Sequence, residues 1–176
     1  MAPDDPPALA WSTDNCQVAR AMAVLGERGT LVVLREVFNG VRRFDDVQRH
    51  SGMSRQVLSN RLALLVEHDI LRRVPYQVDG GRTRHEYRLT PKGFDLYPVL
   101  AAVADWGARY YAGPEGPPVT LAHRDCGAPV HSALVCEDGH RLDDARDVAP
   151  RPGPGARPFG STPVPSGSPQ VQDAQA

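Results

Sequence analysis

Long apolar runs are missing from this sequence, and none approaches the about 18 residues that a membrane-spanning helix needs. Three cysteines in 176 residues are too few for a disulfide framework. Residues Met1 to Ala10 carry three prolines and two aspartates, and they lack the basic start and apolar core of a secretory signal. These absences predict a soluble protein of the cytoplasm with no membrane contact. Aromatics are scarce, at 6%. There is also no glycine-rich phosphate loop, nucleophile elbow or metalloprotease helix motif. The sequence therefore predicts a protein that is not an enzyme and requires no cofactor.

Lysine is nearly absent too: every basic residue except Lys92 is an arginine. The formal net charge is -1, but it is unevenly spread. Between Arg42 and Lys92 there are 11 basic and 6 acidic residues, whereas the two ends of the chain are acidic. A local positive excess of this kind is the footprint of a polyanion binder. A solvated surface drawn from an arginine-rich composition would give a similar count.

Proline (17) and glycine (16) are plentiful and divide the chain into short elements. Residues 1–12 are Pro- and Asp-rich and predict disorder. Asn15 is placed to cap a helix starting at Cys16, with Val18, Ala19, Met22, Ala23 and Leu25 inward and Gly26 at its end. A second helix runs from Thr30 through Leu31, Val33, Leu34, Val37 and Phe38 to the Asn39-Gly40 stop. Asp45 and Asp46 open a third, short helix around Val47, closed by Ser51-Gly52. Ser54 caps a fourth helix to His68, with Leu58, Leu62 and Leu65 toward the core and Gln56, Ser59, Asn60 and Ala63 opposite. From Ile70 the period changes to two. A strand to Val78, a turn at Asp79-Gly80-Gly81 and a strand from Thr83 to Leu89 make a hairpin. Thr90-Pro91 then starts a long helix with Leu96, Val99, Leu100, Val103, Trp106 and Tyr110 along one stripe and a kink at Pro98. Gly113-Pro114 ends it. Residues 113–122 read as a linker, 123–147 as a small Cys/His segment and 148–176 as a disordered tail.

Two helices joined by a short turn, followed at once by a hairpin, make a winged helix-turn-helix. The predicted class is α+β, mainly α, with a long C-terminal dimerisation helix. In such a fold the second helix of the motif enters the major groove and its first residues meet base edges. Here these are Ser54, Arg55, Gln56, Ser59, Asn60 and Arg61. Arginine pairs with guanine, and glutamine or asparagine with adenine, through two hydrogen bonds each. Ser54 at the helix N-terminus suits a phosphate. Arg82 and Arg84 flank the hairpin tip and suit backbone or minor-groove contacts. The competing reading is a winged-helix module that binds protein, which an apolar outer face would favour.

The residues also carry a family resemblance. Cys16-Gln17-Val18-Ala19-Arg20-Ala21 with Leu25-Gly26, then Leu34-Arg35-Glu36, Arg43-Phe44 and the run Ser54 to Leu62, resemble HxlR-type transcriptional regulators. So do Glu86-Tyr87-Arg88-Leu89-Thr90-Pro91-Lys92-Gly93 and Trp106-Gly107. The resemblance covers about residues 16–112. It implies a bacterial regulator that binds double-stranded DNA as a homodimer and answers to an effector that the residues do not specify. One departure is Arg28-Gly29, where the family has a Lys-Trp pair. Some family members sense oxidants through an N-terminal cysteine. That makes Cys16 a redox candidate, because a helix N-terminus favours the reactive thiolate; a small buried hydrophobe is the plainer role.

Near the C-terminus, His123-x2-Cys126 and Cys136-x3-His140 supply two pairs of soft ligands, with His131 as an alternative. Four such groups in a tetrahedron hold zinc. The segment resembles a truncated, degenerate zinc ribbon, and that resemblance implies a zinc ion held there.

Overall fold

A computed structural model describes residues 12, 14–77, 81 and 83–160. Residues 1–11, 13, 78–80, 82 and 161–176 lie outside the described residues, as do the expectations placed on them. The chain divides into two units, Ala21–Val148 and the terminal segments Met1–Arg20 with Ala149–Ala176.

In the terminal unit, the Ser12 amide donates to the Arg157 carbonyl at 2.6 Å, and residues 149–160 carry turns but no helix. The first helix, α1, runs Gln17–Leu25, and the Arg20 amide bonds the Cys16 carbonyl at 3.0 Å. Cys16, not Asn15, therefore holds the capping position. The Asn15 side chain accepts instead from the Arg20 guanidinium at 2.8 Å.

In the larger unit, α2 (Thr30–Phe38), α3 (Phe44–Ser51) and α4 (Arg55–Glu67) surround the core. Val33, Leu34 and Val37 of α2 meet Val47 of α3 and Leu58, Leu62 and Leu65 of α4, all essentially without exposure. Each such side chain contributes about 1.5–3 kcal/mol by leaving water. Gly29 precedes α2 at φ 92°, in the left-handed region that glycine enters without strain. The Met53 methyl lies 2.5 Å from where a Gly29 Cβ would be, so Met53 packs directly against Gly29. α3 starts one residue earlier than its acids suggested, with Arg43 as cap and Asp45 and Asp46 in the first turn. It ends at Gly52, φ 66°.

The wing is β1 (Leu71–Gln77) against β2 (Thr83–Leu89), antiparallel, in register from Leu71↔Leu89 to Gln77↔Thr83. Pro75 is tolerated because β1 is the outer strand. On its other side β2 pairs with the chain between α2 and α3: Arg43 bridges Glu86, and the Tyr87 amide donates to the Arg42 carbonyl at 2.8 Å. This third strand, one rung long, was not visible as a periodic pattern. It fixes the wing to the start of α3.

Two expectations are corrected. The long helix is not one kinked rod but α5 (Pro91–Phe94) and α6 (Tyr97–Tyr111), with a break at Asp95-Leu96. Proline inside a helix costs about 3 kcal/mol. Restarting places Pro98 in the first turn of α6, where its missing N–H has no intrahelical acceptor to satisfy. The apolar residues of α1 expected to face inward are uncovered, and α6, expected as a dimerisation helix, leaves most of its stripe uncovered too. No residue of α1 is buried, Val18 being 63% and Met22 49% exposed, and α6 buries only Ala101. The core within one chain is filled by α2, α3 and α4 together with Ile70, Leu71 and Tyr87.

After α6 come two short hairpin-like turns. Ala122 bridges Pro129, and β3 (Leu134–Val135) pairs with β4 (Arg141–Leu142). No residue from 102 to 160 is buried.

Candidate nucleic-acid interface

The site is built on the first two turns of α4. Ser54 is extended (φ -64°, ψ 151°), and its hydroxyl oxygen accepts from the Val57 amide at 3.3 Å. That bond uses a lone pair and leaves the hydroxyl proton to donate. Leu58, Leu62 and Leu65 fix the rotation of α4 by their burial, so Arg55, Gln56, Ser59 and Asn60 are all exposed on the other side. Gln56 Nε2 donates to Asn60 Oδ1 at 2.9 Å. The bond holds the two amides as a pair one turn apart, with Gln56 Oε1 and Asn60 Nδ2 unused in it.

Arg55 is held from two directions. Its guanidinium lies 4.7 Å from the Phe44 ring centre and 3.5 Å from the Asp45 carboxylate, yet the side chain is 73% exposed. The other oxygen of Asp45 meets Arg84 of β2, also at 3.5 Å. One carboxylate at the start of α3 thus links the first residue of α4 to the wing. Arg43 adds to the same region by stacking on Tyr76 of β1 at 4.7 Å. Between α3, α4 and the wing lies an open cleft of about 640 Å³ lined by Arg43, Arg49, Arg55, Arg84 and His85, with Asp45 and Asp46 the only acids in its wall among the described residues.

Arg61 stands apart from the residues it was grouped with. It donates to Glu27 at 2.8 Å, and its side chain is only 19% exposed. It ties α4 to the turn before α2 and does not share the exposed face. Arg82 lies outside the described residues. Sequence reasoning missed Val57, 40% exposed among the polar residues of the outer face, and Asp45, whose partners are 10 and 39 residues away.

The four C-terminal ligand candidates separate into two groups. Cys126 Sγ is 3.3 Å from His123 Nδ1. Cys136 and His140 instead converge with Asp138, their ligand atoms all within 4.8 Å of one another. His131 faces Asp105 of α6 at 3.8 Å. The converging group thus joins an aspartate to the second pair, and His123 and Cys126 are not part of it. Cys16 is half-buried, and all three cysteines are free thiols.

A helix-turn-helix with a wing paired to its third strand defines the winged-helix class. Residues 24–114, about half of the chain, match the HxlR-like helix-turn-helix family. An uncharacterized HTH-type transcriptional regulator of Mycobacterium tuberculosis, Rv3095, is 46% identical over 147 residues, covering 84% of this chain and 92% of that protein. The chain belongs to the HxlR-like helix-turn-helix family. Among solved structures it is similar to PA1607, described as a candidate transcription factor, with a TM-score of 0.68 and 35% identity over 78% of this chain and 95% of that one. PA1374 of Pseudomonas aeruginosa gives 0.55 and 34% over 80% and 94%. A match of 147 residues in a chain of 176 necessarily extends past the wing, so the relationship to the mycobacterial protein includes the Cys/His segment.

Proposed function

We propose that the protein is a bacterial-type transcriptional regulator that binds double-stranded DNA as a homodimer in the cytoplasm. The observation that carries this is the outer face of α4: exposed Arg55, Gln56, Ser59 and Asn60 beside the wing arginine Arg84, over one shared carboxylate. These residue types read guanine and adenine edges in the major groove. An apolar outer face would have suited a protein partner; Val57 is its one large apolar residue and suits a thymine methyl. The names of the mycobacterial relative and of PA1607 agree with this reading. Domain limits of 13–112 for the DNA-binding and dimerisation part, 113–122 for a linker and 123–147 for the Cys/His segment accompany it.

The dimer is supported by uncovered apolar surface. Val99, Val103, Trp106 and Tyr110 of α6 are 43–62% exposed, and Trp106 lies 5.7 Å from the Tyr110 ring and 5.0 Å from Tyr111. A contiguous aromatic and aliphatic strip of this kind marks an interaction surface. No helix among the described residues is long and apolar enough to cross a membrane.

The test is a fluorescence-anisotropy titration of the full chain into a labelled mixed-sequence duplex across a salt series. Binding that weakens linearly in log salt, with a slope of several units, supports phosphate contacts by the arginines. No binding at micromolar protein and low salt overturns the reading.

A further inference from the structure

We propose that Cys136, Asp138 and His140 bind one zinc ion, with solvent at the fourth position, and that the ion staples the β3–β4 hairpin. The three groups sit at one turn. The Gly139 amide donates to the Cys136 carbonyl at 2.9 Å, and the Cys136 amide to the His140 carbonyl at 3.0 Å. Gly139 takes φ 82°, which the tightness of the turn requires and which side chains resist. Cys136 follows the last residue of β3 and His140 precedes the first of β4, so the strand pairing Val135↔Arg141 sets them opposite each other. Their ligand atoms and that of Asp138 lie within 4.8 Å. Ligands of a tetrahedral zinc ion lie about 3.3–3.7 Å apart, given metal–ligand distances near 2.0–2.3 Å. A small rotation of the exposed Asp138 and His140 side chains closes that gap.

Thiolate, imidazole and carboxylate together select zinc over magnesium or calcium, which prefer all-oxygen sites. A second observation asks for such a staple. The hairpin has two paired rungs, Leu134 and Val135 are 61% and 60% exposed, and nothing from 102 to 160 is buried. A hairpin this short without a core is not held by apolar burial, and a bound metal is one of the usual substitutes. The His123–Cys126 pair is a separate turn, closed by its own bond from the Gly127 amide to the His123 carbonyl at 2.8 Å.

The experiment uses the full-length, tag-free chain stripped of metal and titrated with Zn²⁺ against a chromophoric chelator, with far-UV circular dichroism to confirm that each variant stays folded. The expected result is one equivalent of zinc. Cys136→Ser and His140→Ala should each lower affinity more than about 100-fold, because even outer-shell partners of zinc sites are worth about 10–100-fold. Asp138→Asn should lower it at least about tenfold, while His123→Ala and Cys126→Ala leave it unchanged. Two results overturn the proposal: no zinc retained by the unmodified chain, or an equal loss in Cys126→Ala, which would mean that the four-residue ribbon set binds instead.

Discussion

Arg55 and Arg84 share Asp45 but differ in what they reach. In the proposed complex Arg55 would open the helix that enters the groove, so Arg55→Ala and Asn60→Ala should each remove about 1–3 kcal/mol of discrimination between bases. Arg84→Ala should weaken all duplexes alike and lower the salt slope by about 1. Competition titrations with specific and mixed-sequence duplexes check both; an Arg84 variant that loses only the specific site would reverse the assignment. Asp45→Asn removes a negative charge beside both arginines, so affinity for mixed-sequence duplex should rise, as the same titration reads. The exposed polar residues of this face were legible because the leucine period of α4 fixes what is left outside. Asp45 was not, since its value lies in two arginines that only the folded wing brings to it. The pairing of Arg61 with Glu27 was hidden for the same reason: residues 34 apart in sequence meet only through packing.

At the scale of elements, local chemistry and tertiary contact trade places. The Ser54 and Thr90 caps were readable from residue type, and both accept the expected amide, from Val57 and Gly93. The break at Asp95-Leu96 was not, because proline reports only that the helix cannot continue normally and leaves the site of relief to packing. Gly93 shows that packing directly. A Cβ there would stand 2.2 Å from the Ile70 carbonyl oxygen and 3.0 Å from Leu89, so α5 is pressed against the base of the wing. Gly93→Ala should therefore destabilise the fold by about 1–3 kcal/mol as an overpacking change, despite alanine's better helix propensity. Leu62→Ala, which empties a fully buried site, should cost about 2–5 kcal/mol. Urea denaturation midpoints at constant m-value check both; an unchanged midpoint for Gly93→Ala would contradict the close approach.

For the whole molecule, the uncovered apolar faces of α1 and α6 are the surfaces that the proposed homodimer would bury. The helical period marks an apolar face on each, but periodicity does not say whether that face meets its own chain or another. Light scattering of the full chain at micromolar concentration should report twice the monomer mass, and Trp106→Glu in α6 should shift it toward one. Removal of residues 118–176 should leave DNA affinity intact, since α4 and the wing are complete by Thr90; a gel shift showing a large loss would place the C-terminal segment in the DNA-binding unit. The most direct test of a dimeric reader is selection of bound sequences from a random duplex pool by the full-length protein. Two copies of α4 related by a two-fold axis should enrich an inverted repeat whose half-sites are centred about 10–10.5 base pairs, or a multiple of that, apart. A selected pool that stays as random as the input would contradict a sequence-reading role for α4.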